Sequence, residues 1–299
     1  MKKIVLIALS LLVIGSIGVG AMTVFGLAFN KTEIHKKETV TGEKINEIEV
    51  KTSAADVEIV TVDSKDIEVL LDGDISEELV DKYKFEVKEE KNRLNVKFSK
   101  GINSVGWGIG TTTTVGVKLQ VKVPKKLYEN VKVITSSGDL VAKEIETKTA
   151  ELNTSSGDVS LLHAKVNGKL TAETSSGAIE TDKSEIEVAK LKTSSGKISV
   201  DGLHAKESIF TTSSGDIEYN DRSLQGEIEC KTSSGDVEMK FDDIPESLKV
   251  EFDGSSGKAD LDITGLLYKE KSKNKLIGVK GTGENKVKVK TSSGDFKLR

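Results

Sequence analysis

Serine, glycine and aspartate recur together along this chain, and their types and spacing could do chemistry. Thr-Ser-Ser-Gly-Asp or a close variant surrounds eight glycines: Gly138, Gly157, Gly177, Gly196, Gly215, Gly235, Gly257 and Gly294. Repeated glycine–aspartate pairs bind calcium in parallel β-rolls, which makes a calcium site the first hypothesis. Those rolls repeat about every nine residues. Successive glycines here are 19, 20, 19, 19, 20, 22 and 37 residues apart, which is evidence against calcium.

The residue after each glycine is a further test of the metal hypothesis. In chain order these residues are Asp139, Asp158, Ala178, Lys197, Asp216, Asp236, Lys258 and Asp295. If the repeats stack, a lysine in this row would put a cation where the metal should bind. We therefore expect the aspartates to cap turns and to keep the surface soluble. The sequence predicts no metal site and no cofactor.

Serine nucleophiles are numerous, but each of them needs a positioned base. The histidines are His35, His163 and His204. The last two would lie two repeats apart, or about 10 Å along a stack of strands, too far to share a metal or a substrate atom. The three arginines are scattered through the chain. We predict no catalytic residues and a protein that is not an enzyme.

One glycine-rich stretch, residues 101–110, breaks the repeat and holds the only tryptophan, Trp107. A tryptophan flanked by glycines could be exposed and could contact a sugar, a partner or the membrane surface. Alternatively, the stretch is a hairpin tip whose indole folds back onto the sheet, and we favour this interpretation. Trp107 remains the one candidate residue for contact with a ligand or partner.

A repeat of about twenty residues is typical of a solenoid, in which each unit buries its face only against its neighbours. Apolar residues alternate before each glycine and again after it, as they do in β-strands. The inward positions change from odd to even across the phrase, so the phrase is a corner whose bend glycine tolerates. The pattern predicts an all-β fold, a parallel β-solenoid similar to a β-helix. Its regular coils, of about 19–20 residues, occupy residues 131–299.

This pattern leads to three further expectations. Cys230 occupies an inward position and should be a buried thiol. The threonines three residues before the glycines, such as Thr193, should hydrogen-bond to one another as a ladder along the stack. The 37-residue interval before Gly294 should hold one coil with an unrecognisable phrase, so that the last coil is an open end. Because an open end is a template for pairing, a homo-oligomer through the solenoid end is a candidate assembly.

Residues 31–130 alternate less regularly, and we assign them to an irregular N-terminal β region continuous with the solenoid. Residues 51–56 are a decayed copy of the phrase with Ala55 in the glycine position. Residues 76–81 begin like a short capped helix. No linker-like stretch separates this region from the regular coils.

Residues 1–30 form a separate segment, a membrane anchor or a signal. Lys2 and Lys3 precede an uncharged apolar run over residues 4–29, which is long enough for a transmembrane helix with a cytoplasmic N-terminus. The alternative is an export signal that is cleaved, leaving a secreted protein. The rest of the chain would then lie outside the cytoplasm in either case. The formal net charge is -4 without a basic block, so nucleic acid is not an expected partner.

The repeated Ser-Ser-Gly-Asp phrases behind an apolar N-terminal segment resemble the bacterial putative-adhesin family of unknown function, which includes LiaG-like envelope proteins. The resemblance covers roughly residues 45–299. It implies a β-solenoid, a location in the cell envelope, and a role in adhesion or in the stress response, without catalytic residues.

We therefore expect a single-pass membrane protein with a non-catalytic, adhesin-like binding module outside the cytoplasm. Its partners would be the membrane, through the N-terminal helix, and an envelope polymer or a membrane protein. The alternative is an accessory protein of envelope-stress signalling that contacts another membrane protein. A short tether from Phe29 to Ile45 would keep the solenoid near the membrane and would favour this alternative.

Overall fold

The computed structural model describes residues 31–100 and 115–299, which are almost entirely β-strand. The strands are β1 (Lys31–Thr41), β2 (Glu47–Thr52), β3 (Asp56–Val62), β4 (Asp66–Ser76), β5 (Tyr83–Glu90), β6 (Arg93–Lys100), β7 (Val115–Pro124), β8 (Leu127–Ile134), β9 (Leu140–Lys143), β10 (Glu146–Asn153), β11 (Val159–Leu162), β12 (Lys165–Glu173), β13 (Ile179–Lys192), β14 (Ile198–Thr211), β15 (Ile217–Ser223), β16 (Glu227–Lys231), β17 (Val237–Asp243), β18 (Leu248–Gly254), β19 (Ala259–Leu261), β20 (Leu267–Lys271), β21 (Lys275–Lys280), β22 (Asn285–Thr291) and β23 (Phe296–Leu298). The expected short helix is present as α1 (Glu77–Val80).

Each repeat is one coil with a strand on either side of its corner. Strands before the corners pair in parallel as a first ladder, in the order β6, β2, β8, β10, β12, β13, β14, β16, β22, β18. Strands after the corners pair in parallel as a second ladder, in the order β7, β3, β9, β11, β13, β14, β15, β17, β23, β19. The predicted all-β fold with parallel stacked coils is confirmed.

The core lies between the two ladders and follows the predicted alternation. Ile, Val and Leu side chains from both ladders are almost completely buried, and Cys230 is buried among them with no exposed surface. Phe210, Tyr219 and Phe241 continue the core as an aromatic row, with neighbouring ring centroids 6.0 and 5.5 Å apart. The change of inward parity at the corner is therefore what directs both strands of a coil towards one core.

At the C-terminal end, the order of coils in space differs from their order in sequence. β22 and β23 insert between β16 and β17 on one side and β18 and β19 on the other. The 37-residue interval holds the antiparallel strands β20 and β21, the second of which pairs with β18. The predicted unrecognisable coil and the open final coil are therefore both wrong. Spacing along the chain does not encode which coil stacks on which.

The N-terminal end repeats this arrangement. The coil of β2 and β3 lies inside, against β8 and β9, while the coil of β6 and β7 lies outside it. Antiparallel pairing then adds β5 to β6, β4 to β7, and β1 to β4. The expected tether is mostly a strand, because all eleven residues of β1 pair with β4.

No helix among the described residues is long and apolar enough to span a membrane. The anchor or signal segment predicted for residues 1–30 lies outside them, as does Trp107.

Candidate functional site

The corner glycines are required by the close approach of neighbouring coils. A Cβ atom built on Gly196 would lie 1.7 Å from the carbonyl oxygen of Gly177, and one on Gly177 would lie 1.9 Å from that of Gly157. Both distances are far below any real contact. None of the eight corner glycines has a positive φ. The expectation that glycine is needed for the bend was wrong, since steric exclusion between coils explains it.

The corner threonines join neighbouring coils through the backbone. Thr193 Oγ1 donates to the carbonyl oxygen of Gly177 at 3.0 Å and accepts from the N–H of Gly196 at 3.1 Å. Thr154 and Thr174 repeat both bonds in their own coils. The predicted ladder of hydroxyl groups bonded to one another was wrong. Each hydroxyl instead satisfies two backbone groups that the corner would leave without partners.

The corner aspartates also hold neighbouring coils together. Asp139 Oδ1 accepts from the backbone N–H of Asp158 at 2.8 Å, and Asp158 Oδ1 accepts from that of Ala178 at 2.7 Å. Where a lysine replaces the aspartate, Lys197 pairs instead with Glu218 at 2.6 Å. The described ranges contain no group of histidine, cysteine and carboxylate side chains that could hold a metal ion. These carboxylates are structural hydrogen-bond acceptors.

The histidines lie apart from one another and from any nucleophile. His163 has a left-handed backbone conformation, with φ of 52°, and its Nε2 lies 3.3 Å from Asp182 Oδ2. His35 contacts Asp72 at the N-terminal end. Within residues 31–100 and 115–299, no histidine hydrogen-bonds to a serine hydroxyl. The thiol of Cys230 is inaccessible, and burial raises its pKa, so it is not a nucleophile either.

The largest cavity described lies opposite the corners, where each coil returns from the second ladder to the first. It is an open depression of about 590 Å³ across four consecutive coils, and we call it the return trough. Its lining residues are Lys165, Val166, Asn167, Glu185, Ile186, Glu187, His204, Ala205, Lys206, Gln225 and Gly226. This volume is within the range of known ligand pockets, about 300–1,000 Å³.

Strand register builds the walls of the return trough. Lys165, Glu185 and His204 are direct neighbours across β12, β13 and β14, and they form one wall. Lys165 pairs with Glu185 at 3.4 Å. On the other wall, Lys206 pairs with Glu187 at 2.7 Å. The walls therefore carry charged groups that are already paired with one another.

Two coils with an extra residue form the ends of the return trough. In β12 the register shifts by one residue at Asn167 and Gly168 relative to both neighbouring strands. Another extra residue precedes Glu227, where Gly226 has φ of 80°. These are the two coils with a 20-residue spacing on either side of two 19-residue coils. The sequence analysis missed the trough, although this alternation of spacing was its available signal.

Comparison with known proteins supports the family resemblance. The sequence profile of the Toastrack DUF4097 family matches residues 45–299. The chain belongs to this family. The predicted resemblance to adhesin-like proteins of unknown function is therefore confirmed. No curated protein sequence matches this DUF4097 chain.

Solved structures share the fold of this DUF4097 chain at low sequence identity. A "putative adhesin" from Bacteroides fragilis is 12% identical with a TM-score of 0.53, covering 90% of this chain and 98% of its own. A "putative adhesin" from Parabacteroides distasonis is 11% identical with a TM-score of 0.47, covering 88% and 97%. A "putative lipid binding protein" from the same species is 14% identical with a TM-score of 0.47, covering 89% and 97%. At 12% identity, the first likeness shows the fold alone.

Proposed function

We propose that this DUF4097 chain is a non-catalytic, adhesin-like binding module outside the cytoplasm, in the cell envelope. The observation that carries the proposal is the return trough, an open depression with hydrogen-bonding walls on a rigid stack of coils. Such a surface is suited to bind an extended molecule without enclosing it. The regular pairing of coils on both sides keeps the walls in fixed register, so that little order is lost on binding.

The absence of catalysis is part of this proposal. The two carboxylates of the return trough, Glu185 and Glu187, are each paired with a lysine. The described residues bring no serine or cysteine nucleophile together with a base. Catalysis of group transfer or hydrolysis generally requires such a positioned pair, so that binding is the function this surface supports.

A cosedimentation experiment tests the binding function. The full chain would be mixed with isolated, protein-free wall material from a bacterium that encodes it, and pelleted. We expect saturable cosedimentation. A chain that stays in the supernatant at all wall concentrations would overturn the proposal.

The accessory role in envelope-stress signalling is the second candidate, and one observation favours it. β1 begins at Lys31, immediately after the apolar segment, and is fully paired with β4. If residues 1–30 are retained as a membrane helix, the N-terminal end of the solenoid has no spacer from the bilayer. A membrane protein would then be within its reach. Site-specific crosslinking from Glu33 in intact cells tests this role, and recovery of lipid alone would count against it.

Membrane anchoring itself is tested by fractionation and N-terminal sequencing of the mature protein. We expect an intact N-terminus in the membrane fraction. A shortened, released protein would contradict the anchored arrangement and would favour secretion after cleavage.

A further inference from the structure

We infer that the return trough binds an uncharged oligosaccharide lying along the solenoid axis. This inference rests on the proposed binding function and adds to it the place and the chemical class of the ligand. The argument uses the charge of the walls, the nature of the floor, the pairing of the strands and the length between the two ends.

The walls of the return trough have no net charge and offer both kinds of hydrogen-bonding group. Two lysines are balanced by two glutamates, each lysine within 3.4 Å of a glutamate oxygen. Asn167 and Gln225 add amide groups that both donate and accept. A sugar hydroxyl also donates and accepts, so that it can bond to either member of an ion pair. A polyanion would gain from the lysines but would be repelled by the glutamates beside them.

The floor of the return trough can pack against the C–H face of a sugar ring. It runs along Val166, Ile186 and Ala205, which are direct neighbours in the parallel ladder. The first two are buried, and Ala205 is half-buried with a side chain too short to fill the space. The aliphatic stems of Lys165 and Lys206 add apolar surface along the walls. The trough is therefore lined by apolar carbon in its centre and by polar groups along its edges.

A peptide fits this surface less well than a sugar. Peptides that bind to sheets add a strand to an unpaired edge, where main-chain hydrogen bonds supply the affinity. β13 is paired on both sides, by β12 and β14, throughout the floor of the return trough. Val166 and Ile186 are 1% and 3% exposed, so that no apolar pocket is open to anchor a peptide side chain.

The length of the return trough sets the size of the ligand. The lining residues belong to four consecutive coils, and neighbouring strands are about 4.8 Å apart, so the trough is about 14 Å long. The extra residues at Asn167 and at Gly226 mark its two ends. A short oligosaccharide with its chain parallel to the axis would span this distance and place successive sugars against successive coils.

Calorimetric titration of the full chain tests the inference. The chain would be held in a zwitterionic detergent without a sugar headgroup, because such headgroups could occupy the trough. The uncharged probes are the tetramers of N-acetylglucosamine and of glucose, and the comparison probes are polygalacturonate and an uncharged decapeptide. We expect at least one uncharged tetramer to bind with a Kd below 1 mM, about -4 kcal/mol, and neither comparison probe to bind comparably.

Two variants locate the binding. Ala205→Phe should fill the trough and weaken the tetramer at least tenfold. Glu187→Gln breaks the wall pair with Lys206 and should weaken it about threefold to tenfold while leaving the core untouched. Glu151→Gln is the matched control, because Glu151 forms an equivalent 2.7 Å pair with Lys132, on the outer face of the first ladder. The control should bind the tetramer as the unmodified chain does.

The outcomes separate the inference from the proposed function. Failure of both uncharged tetramers to bind, or unchanged affinity in both trough variants, would overturn the inference. Preferential binding of polygalacturonate or of the peptide would overturn it as well. If the chain still cosediments with wall material in any of these cases, the binding function stands and the trough is not its site. If it does not cosediment either, both proposals are wrong.

Discussion

Two glycines only six residues apart, Gly196 and Gly202, show how differently the two sides of a coil are built. Gly196 lies at a corner with negative φ, where its missing Cβ lets the next coil approach. Gly202 lies where the return begins and has φ of 61°, but a Cβ there would meet its nearest neighbour at an ordinary 3.4 Å. In the preceding coils the same position holds Glu144, His163 and Lys183, all with positive φ. One glycine is therefore imposed by packing and the other by local backbone conformation.

This difference extends to the two sides as a whole. At the corners, threonine, glycine and aspartate each bond to or approach the neighbouring coil, so that one changed residue disturbs two coils. On the return side, coils differ in length and residues tolerate exchange. The corner side thus maintains the stack, while the return side is free to vary and holds the largest cavity described. The predictions below test this division.

The largest effect is expected for Gly196→Ala. The added methyl group would overlap the carbonyl oxygen of Gly177, and only displacement of the backbone of two coils could relieve the overlap. We expect a loss of about 4 kcal/mol or more in the free energy of unfolding, among the largest effects of a single substitution. Urea denaturation followed by circular dichroism measures it.

Gly202→Ala is the control for that substitution. Its only cost is a left-handed conformation for a residue with a Cβ, about 1–2 kcal/mol. The division between corner and return would be untenable if both substitutions cost the same.

Thr193→Val comes next. The substitution preserves shape but leaves the N–H of Gly196 and the carbonyl oxygen of Gly177 without their partner. We expect a loss of about 1–3 kcal/mol, the cost of unsatisfied buried polar groups. Thr193→Ser keeps the hydroxyl and should recover most of the stability in the same urea titration. A serine variant as unstable as the valine variant would assign the effect to packing.

Thr181→Val should act in the opposite direction. Thr181 is 1% exposed, and its hydroxyl has no hydrogen-bond partner. It lies after the corner, at an inward position between Leu161 and Val200. Replacing the hydroxyl by a methyl group removes an unsatisfied buried group, so we expect a gain of about 1 kcal/mol. A measured loss would mean that the hydroxyl is bonded in solution, and threonines would then not separate into bonded corner residues and unbonded others.

The corner was predictable from the sequence because its signals are local. Alternation of apolar residues identified the strands, the change of parity identified the corner, and the inward position of Cys230 identified a buried thiol. The order of the last two coils was not predictable, because β22 pairs with both β16 and β18 through residues far apart in the chain. No local pattern distinguishes an inner coil from an outer one.

The return trough was harder to predict for a related reason. Its walls combine residues such as Glu187 and Lys206 from separate coils, and they come together only when the register of the return is known. That register depends on the extra residues near Gly168 and Gly226, which appear in the sequence only as a spacing of 20 in place of 19. A site formed by regular stacking of varied residues has no motif of its own.

The smallest effect concerns the aspartate row, where the corner itself varies. Ala178 stands where most corners have aspartate, and the described structure shows no hydrogen bond to the backbone N–H of Lys197 in the next coil. By analogy with the bond from Ala178 N–H to Asp158, Ala178→Asp would supply the missing acceptor. We expect a gain of about 0.5–1 kcal/mol, typical of one net hydrogen bond, in the urea titration. Ala178→Asn should retain about half of this gain, since it accepts the same bond without a charge. Destabilisation by both variants would show that the alanine is required, and the aspartates would then not be the links between coils that the other corners indicate.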